Sequence, residues 1–120
     1  MSQTLRNQIL AAADLPLETV AVPEWPCGKV LMRGLSGTDR DAWEISLWEG
    51  QGGERRFVSA NMRARLVVRC VVDEAGERVF SDADAEPLGQ KSGAVLDRLY
   101  DVARRLSGMQ DNAVESAAKN

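Results

Sequence analysis

A chain of 120 residues, 44% of them apolar, carries enough hydrophobic mass for one core and too little for two. The absence of histidine removes Ser-His and Cys-His nucleophile pairs and histidine metal sites, and a net charge of −3 gives no basic field of the kind that phosphate backbones select. The early apolar run Ile9 to Ala13 is too short for a signal-peptide core, and no segment approaches the roughly 20 apolar residues that cross a bilayer, so a soluble intracellular protein is expected.

From Thr4 to Ala13, Leu5, Ile9 and Ala12 recur at helical spacing until Asp14-Leu15-Pro16 stops the pattern, which predicts a short amphipathic helix. Alternation over Leu17 to Val22 suits a strand, and Lys29 to Arg33 suits a second. Between them, Pro23 and Pro26 fix φ and remove ladder donors on either side of Trp25. The unit reads as a β-hairpin with Trp25 in a rigid extended turn, placed either as a lid over the core or as an anchor for a partner. Cys27 and Cys70 lie far apart and lack metal-ligand spacing, so both are expected as buried free thiols of a reducing cytoplasm.

Ser36-Gly37-Thr38-Asp39 has the S-x-x-D form of a helix cap and opens a helix predicted to run through Trp48. Ala42, Ile45 and Trp48 fall three apart beside the i, i+4 pair Trp43 and Leu47, giving an apolar face wide enough to meet both a core and a partner. Gly50-Gln51-Gly52-Gly53 then reads as a flexible loop, since the lysine and hydroxyl of a phosphate-binding loop are missing. The next helix, Ser59 to Val71, sets Met62, Leu66, Val67 and Cys70 against Arg63, Arg65 and Arg69. With Arg55 and Arg56 these arginines make the one basic region. Arg63 and Arg69 diverge by more than a right angle around the helix, so no continuous phosphate-tracking stripe forms, and pairing with local acids is the expected use.

Val71 to Phe80 places Asp73-Glu74-Ala75-Gly76 between two short apolar runs, which predicts a second, tight hairpin with Gly76 at positive φ. Ser81, followed by Asp82 and Asp84, is a helix start. Asp82, Asp84 and Glu86 imitate the opening of a calcium loop, but Pro87 stands where the glycine is required and Gly93 where the bidentate glutamate is required, so no metal site is expected. Ser92 caps a last helix to Leu106 with Val95, Leu99, Val102 and Leu106 on its apolar face and Asp101 paired with Arg105 on its wet side. Gly108 stops it. The predicted fold is α+β: a small, mainly helical single domain over residues 1–108 with an N-terminal β-hairpin and a short second hairpin between helices, then a flexible polar tail at 109–120.

Ordered blocks along this chain resemble the tail assembly chaperones of long-tailed bacteriophages. They are Ile9 to Asp14, Val22-Pro23-Glu24-Trp25, Arg33 to Gly37 with Arg40-Asp41-Ala42, Arg63 to Val67, the Asp73 to Phe80 turn with Ser81-Asp82, Leu88 to Ser92, Leu96 to Leu99, and Leu106-Ser107-Gly108. The resemblance implies a non-enzymatic protein of the host bacterial cytoplasm, with no catalytic residue and no cofactor. It further implies that the protein binds the tape-measure protein, recruits tail-tube subunits and is absent from the finished particle. A structural head-to-tail joining protein and a small nucleic-acid-binding regulator are the competing readings. A chaperone of an elongated helical client needs exposed apolar surface, which self-association can hide or present. Trp25, Trp43, Leu47 and Trp48 are the residues expected to form that surface, because the rear helices already carry aliphatic stripes sufficient to pack against each other.

Overall fold

The computed structural model describes residues 2–109. In chain order its elements are α1 (Ser2–Ala11), β1 (Leu17–Val22), β2 (Gly28–Arg33), α2 (Gly37–Ser46), β3 (Trp48–Glu49), β4 (Arg56–Phe57), α3 (Met62–Cys70), β5 (Val71–Val72), α4 (Ala85–Leu88) and α5 (Gly93–Leu106), the α+β composition that the patterning predicts.

The prolines and glycine around Trp25 turn β1 back onto β2 in antiparallel register from Leu17↔Arg33 to Val22↔Gly28, with Gly28 at φ +74° closing the turn. Alternation then sorts the faces: Val20, Val22 and Met32 are buried, while Leu17, Thr19 and Ala21 are exposed. Under the buried face α3 packs on α5, and their apolar rows, including Leu66, Val67, Cys70, Val95, Leu99 and Ala103, form one core with Trp43 of α2 and Leu47 at its C-cap. Helix starts follow their caps. Ser36 Oγ accepts from Asp39 N at 3.1 Å, and Ser92 Oγ accepts from Val95 N at 3.4 Å.

Several segments depart from their local pattern, each for a nonlocal reason. α2 ends at Ser46, because Trp48 and Glu49 pair with Phe57 and Arg56 across Gly50 and Gly52, both at positive φ. The expected loop is thus a hairpin, held by an edge-to-face contact of Trp48 on Phe57 with ring centres 5.8 Å apart. α3 starts at Met62 rather than Ser59: Asn61 adopts φ 53°, and Arg65 reaches back to take the Val58 carbonyl at 2.5 Å and the Ser46 carbonyl. The Asp73–Gly76 turn forms, with Asp73 Oδ1 accepting from Ala75 N and Glu77 N. Its arms close as a short hairpin, Asp73 N donating to Glu77 O at 2.8 Å and Val79 N to Val71 O at 3.1 Å around the bridge Val72↔Arg78, while β5 pairs on its other edge with β2 in a sheet of order β1-β2-β5.

Three other positions are corrected by the packing. Cys27 is exposed at the hairpin tip while Cys70 is buried, its thiol pushed up to about 12 by desolvation. Asp101 pairs with Arg104 at 2.6 Å, one residue earlier than expected, because Arg105 lies 2.9 Å from both oxygens of Glu18 on β1. α1 forms, but its apolar residues do not join the core: Leu5, Ile9 and Leu10 are 59, 62 and 68% exposed. The expected tail lies, from residue 110 onward, outside the described residues, and Met109 is buried.

Gly34 sits where β2 passes the end of α5, and a Cβ there would run into the Leu106 backbone carbonyl, whereas a Cβ on Gly37 would meet nothing within 4 Å. Gly34→Ala should therefore lose about 1–3 kcal/mol in urea unfolding through overpacking. Gly37→Ala should leave the midpoint nearly unchanged.

Candidate protein-binding site

Pro23 and Pro26 restrict the backbone around Trp25, and two turn bonds finish the loop: Trp25 N donates to Val22 O at 3.1 Å and Gly28 N to Trp25 O at 2.9 Å. The tip is also fastened from outside. Arg98 of α5 donates to both carboxylate oxygens of Glu24, at 2.9 and 2.6 Å, and to the Ala21 carbonyl at 3.4 Å. That hydrogen-bonded guanidinium holds the Glu24 carboxyl well below the usual range, at about 2. A long-range clasp therefore sets the position of Trp25.

Opposite it, Phe80 is placed by the chain leaving the Asp73 turn. Arg78 donates to the Val68 carbonyl and to Asp82, and Arg69 donates to Asp82 at 2.8 Å. Ser81 N and Ser81 Oγ donate to Asp84 Oδ2, a closed capping box that starts the turn leading into α4. Trp25, Pro26, Phe80, Pro87 and Leu88 then line an apolar groove of about 510 Å³, with Asp84 and Lys91 as its charged residues. Trp25 and Phe80 are half-buried and packed on the core, so the groove is built before anything enters it.

The four residues expected to form a surface do not come together as one. Trp43 is 1% exposed and Leu47 fully buried, both within the core. Trp43 is held by apolar packing, as its Nε1 has no hydrogen-bond partner. Trp48 is half-buried in β3 under the Arg55 guanidinium, 4.4 Å from the ring centre, and does not line the groove. Trp25 is the one of the four in it. Phe80, Pro87 and Leu88 complete the groove and are not among the four expected residues. Their only signal was an aromatic placed directly before the Ser81 cap, and a proline in the imitation calcium loop.

The basic region is engaged locally. Arg56 pairs with Glu49, Arg63 with Asp97 and Arg69 with Asp82, while Arg65 donates to carbonyls and desolvation lowers its pKa. Among the described residues no three His, Cys, Asp or Glu side chains gather in a metal-binding group, and no helix is long and apolar enough to cross a membrane.

The family described as "Phage tail assembly chaperone" matches residues 4–120. The chain belongs to this family. A solved structure, that of the bacteriophage HK97 tail assembly chaperone, is similar in fold with a TM-score of 0.60 and 28% sequence identity, over 92% of this chain and 100% of that one. No curated protein sequence matches.

Truncating a buried tryptophan removes core, so Trp43→Ala should lose about 3–5 kcal/mol in urea unfolding, with Trp25→Ala losing distinctly less. Glu24 titrates below its unfolded value, so its bridge to Arg98 is fully present above the ordinary carboxylate range and is lost as pH falls toward about 2. A side-chain carboxyl titration by NMR should show that low midpoint, and Arg98→Gln should raise it toward the ordinary range.

Proposed function

We propose that this phage tail assembly chaperone works without catalysis in the host cytoplasm, holding an apolar helical segment of the tape-measure protein in the Trp25–Phe80 groove and recruiting tail-tube subunits to it. The groove carries this reading: an aromatic anchor held by two prolines and a bidentate ion pair, facing Phe80, Pro87 and Leu88 across open apolar space. A helix laying one face into such a groove needs little rearrangement of the site, and the flanking Asp84 and Lys91 offer charge contacts that fix its direction. Trp48, half-buried beneath Arg55, is a second aromatic that a partner can reach. Self-association of the chaperone covers apolar surface when no client is present, and the protein leaves before the particle is complete. Arg56, Arg63, Arg65 and Arg69 of the basic region are spent on carbonyls and neighbouring acids, which argues against nucleic acid as the partner.

Co-purification with overlapping tape-measure fragments tests this. Trp25→Ala and Phe80→Ser should each weaken capture by about tenfold or more, equivalent to about 1.4 kcal/mol. Trp48→Ala should weaken it less. Unchanged capture by both groove variants, with folding intact, would contradict the proposed site.

A further inference from the structure

α1 is out of place in a chain of this size. Every described side chain from Gln3 to Asp14 is exposed, and α1 is absent from the elements that pack closely on one another. Yet α1 carries Leu5 and Ile9 at i, i+4 with Leu10 beside them, an apolar row on a helix whose only charged side chain is Arg6. A ten-residue helix is marginal in water by itself, so an unpacked apolar face of this kind draws its stability from something that covers it.

The same chain offers a surface of matching character. On the face of the β1-β2-β5 sheet away from the helices, Thr19, Leu31, Val72 and Val79 floor a trough of about 860 Å³ that runs to Trp25 and Phe80. Val79 is 54% exposed there. Asp73 and Glu74 line the trough and are exposed, with Lys29 as its basic residue. Length and charge both fit: a ten-residue helix is about 15 Å long, against about 20 Å for the six-residue strands beneath the trough. The lone cation of the helix, Arg6, sits next to Leu5 and can face the carboxylates of Asp73 and Glu74 as the apolar row seats.

We propose that α1 is an arm that docks in the sheet-face trough of a second copy of this chain, with Leu5, Ile9 and Leu10 on Leu31 and Val79 and Arg6 toward Asp73 and Glu74. This rests on the self-association reading above and specifies its contact, leaving the identity of the client in the neighbouring groove open. One arm covers well under the roughly 1,200 Å² of a stable specific interface, so the association is weak, concentration-dependent and exchangeable. Because the trough ends at Trp25 and Phe80, which also line the groove, a docked arm and a bound client share those two rings.

Sedimentation velocity of the full chain over a wide concentration range tests the proposal. The wild-type chain should associate, and both Leu5→Ser/Ile9→Ser in the arm and Thr19→Asp/Val79→Asp in the trough should weaken association by about tenfold or more. All four positions are exposed, so urea midpoints should stay near wild type, and Glu74→Arg should weaken association in a way that Arg6→Glu partly restores. Mixing the arm variant with the trough variant should regenerate a complex, since one intact arm then meets one intact trough. Association that survives the arm variant overturns the proposal while leaving self-association standing through another surface. A chain that is monomeric at every concentration overturns both, including the case in which the arm folds onto its own trough.

Discussion

The packing of α3 on α5 is the constraint from which the rest of the molecule takes its position. It fixes the two helices whose outward arginines reach across to everything else: Arg98 to Glu24 at the hairpin tip, Arg105 to Glu18 on β1, Arg69 to Asp82 before α4, and Arg65 to the carbonyls of Val58 and Ser46. The exposed pairs add little to global stability one at a time, as surface ion pairs do. Their effect is geometric. They orient short, irregular segments with little core of their own, and those segments bring Trp25 and Phe80 to opposite sides of one groove.

A division of labour among the tryptophans follows. Trp43 fills the core and carries no polar bond, Trp48 closes the short β3–β4 hairpin against Phe57, and Trp25 is held half-buried at the edge of the core by a proline-flanked turn. Arginine is divided in the same way. Arg56, Arg63, Arg65 and Arg69, which look like a basic patch along the sequence, hold carbonyls and acids, and Arg55 lies over the Trp48 ring.

Legibility in the sequence tracked how local each determinant is. Ser36 and Ser92 announce their helices because a cap acts within three residues, and the first hairpin is readable because alternation and Pro-Trp-Pro spacing lie within one short stretch. The β5–β2 pairing and the β3–β4 hairpin were not readable, since each depends on partners whose approach is decided by packing elsewhere. Periodicity places Trp43 and Leu47 on one face of the expected Ser36-capped helix but does not say whether that face is covered. The candidate site was therefore half legible: Trp25 could be found from its prolines, whereas Phe80, Pro87 and Leu88 join it only through tertiary structure. Family membership was legible from the order of many weak blocks, and the family match over residues 4–120 bears that out.

On the proposed function, client binding lies at the surface between the hairpin tip and α4. Amide hydrogen exchange, followed with and without a captured tape-measure fragment, tests it most directly because it reads position along the whole backbone. Added protection should concentrate at Trp25 to Gly28 and from Phe80 to Lys91, with amides of α3 and the buried turns of α5 already slow and unchanged. Protection confined to the β3–β4 hairpin, or spread through the core as a general stabilisation with no effect at those two segments, would place client binding elsewhere.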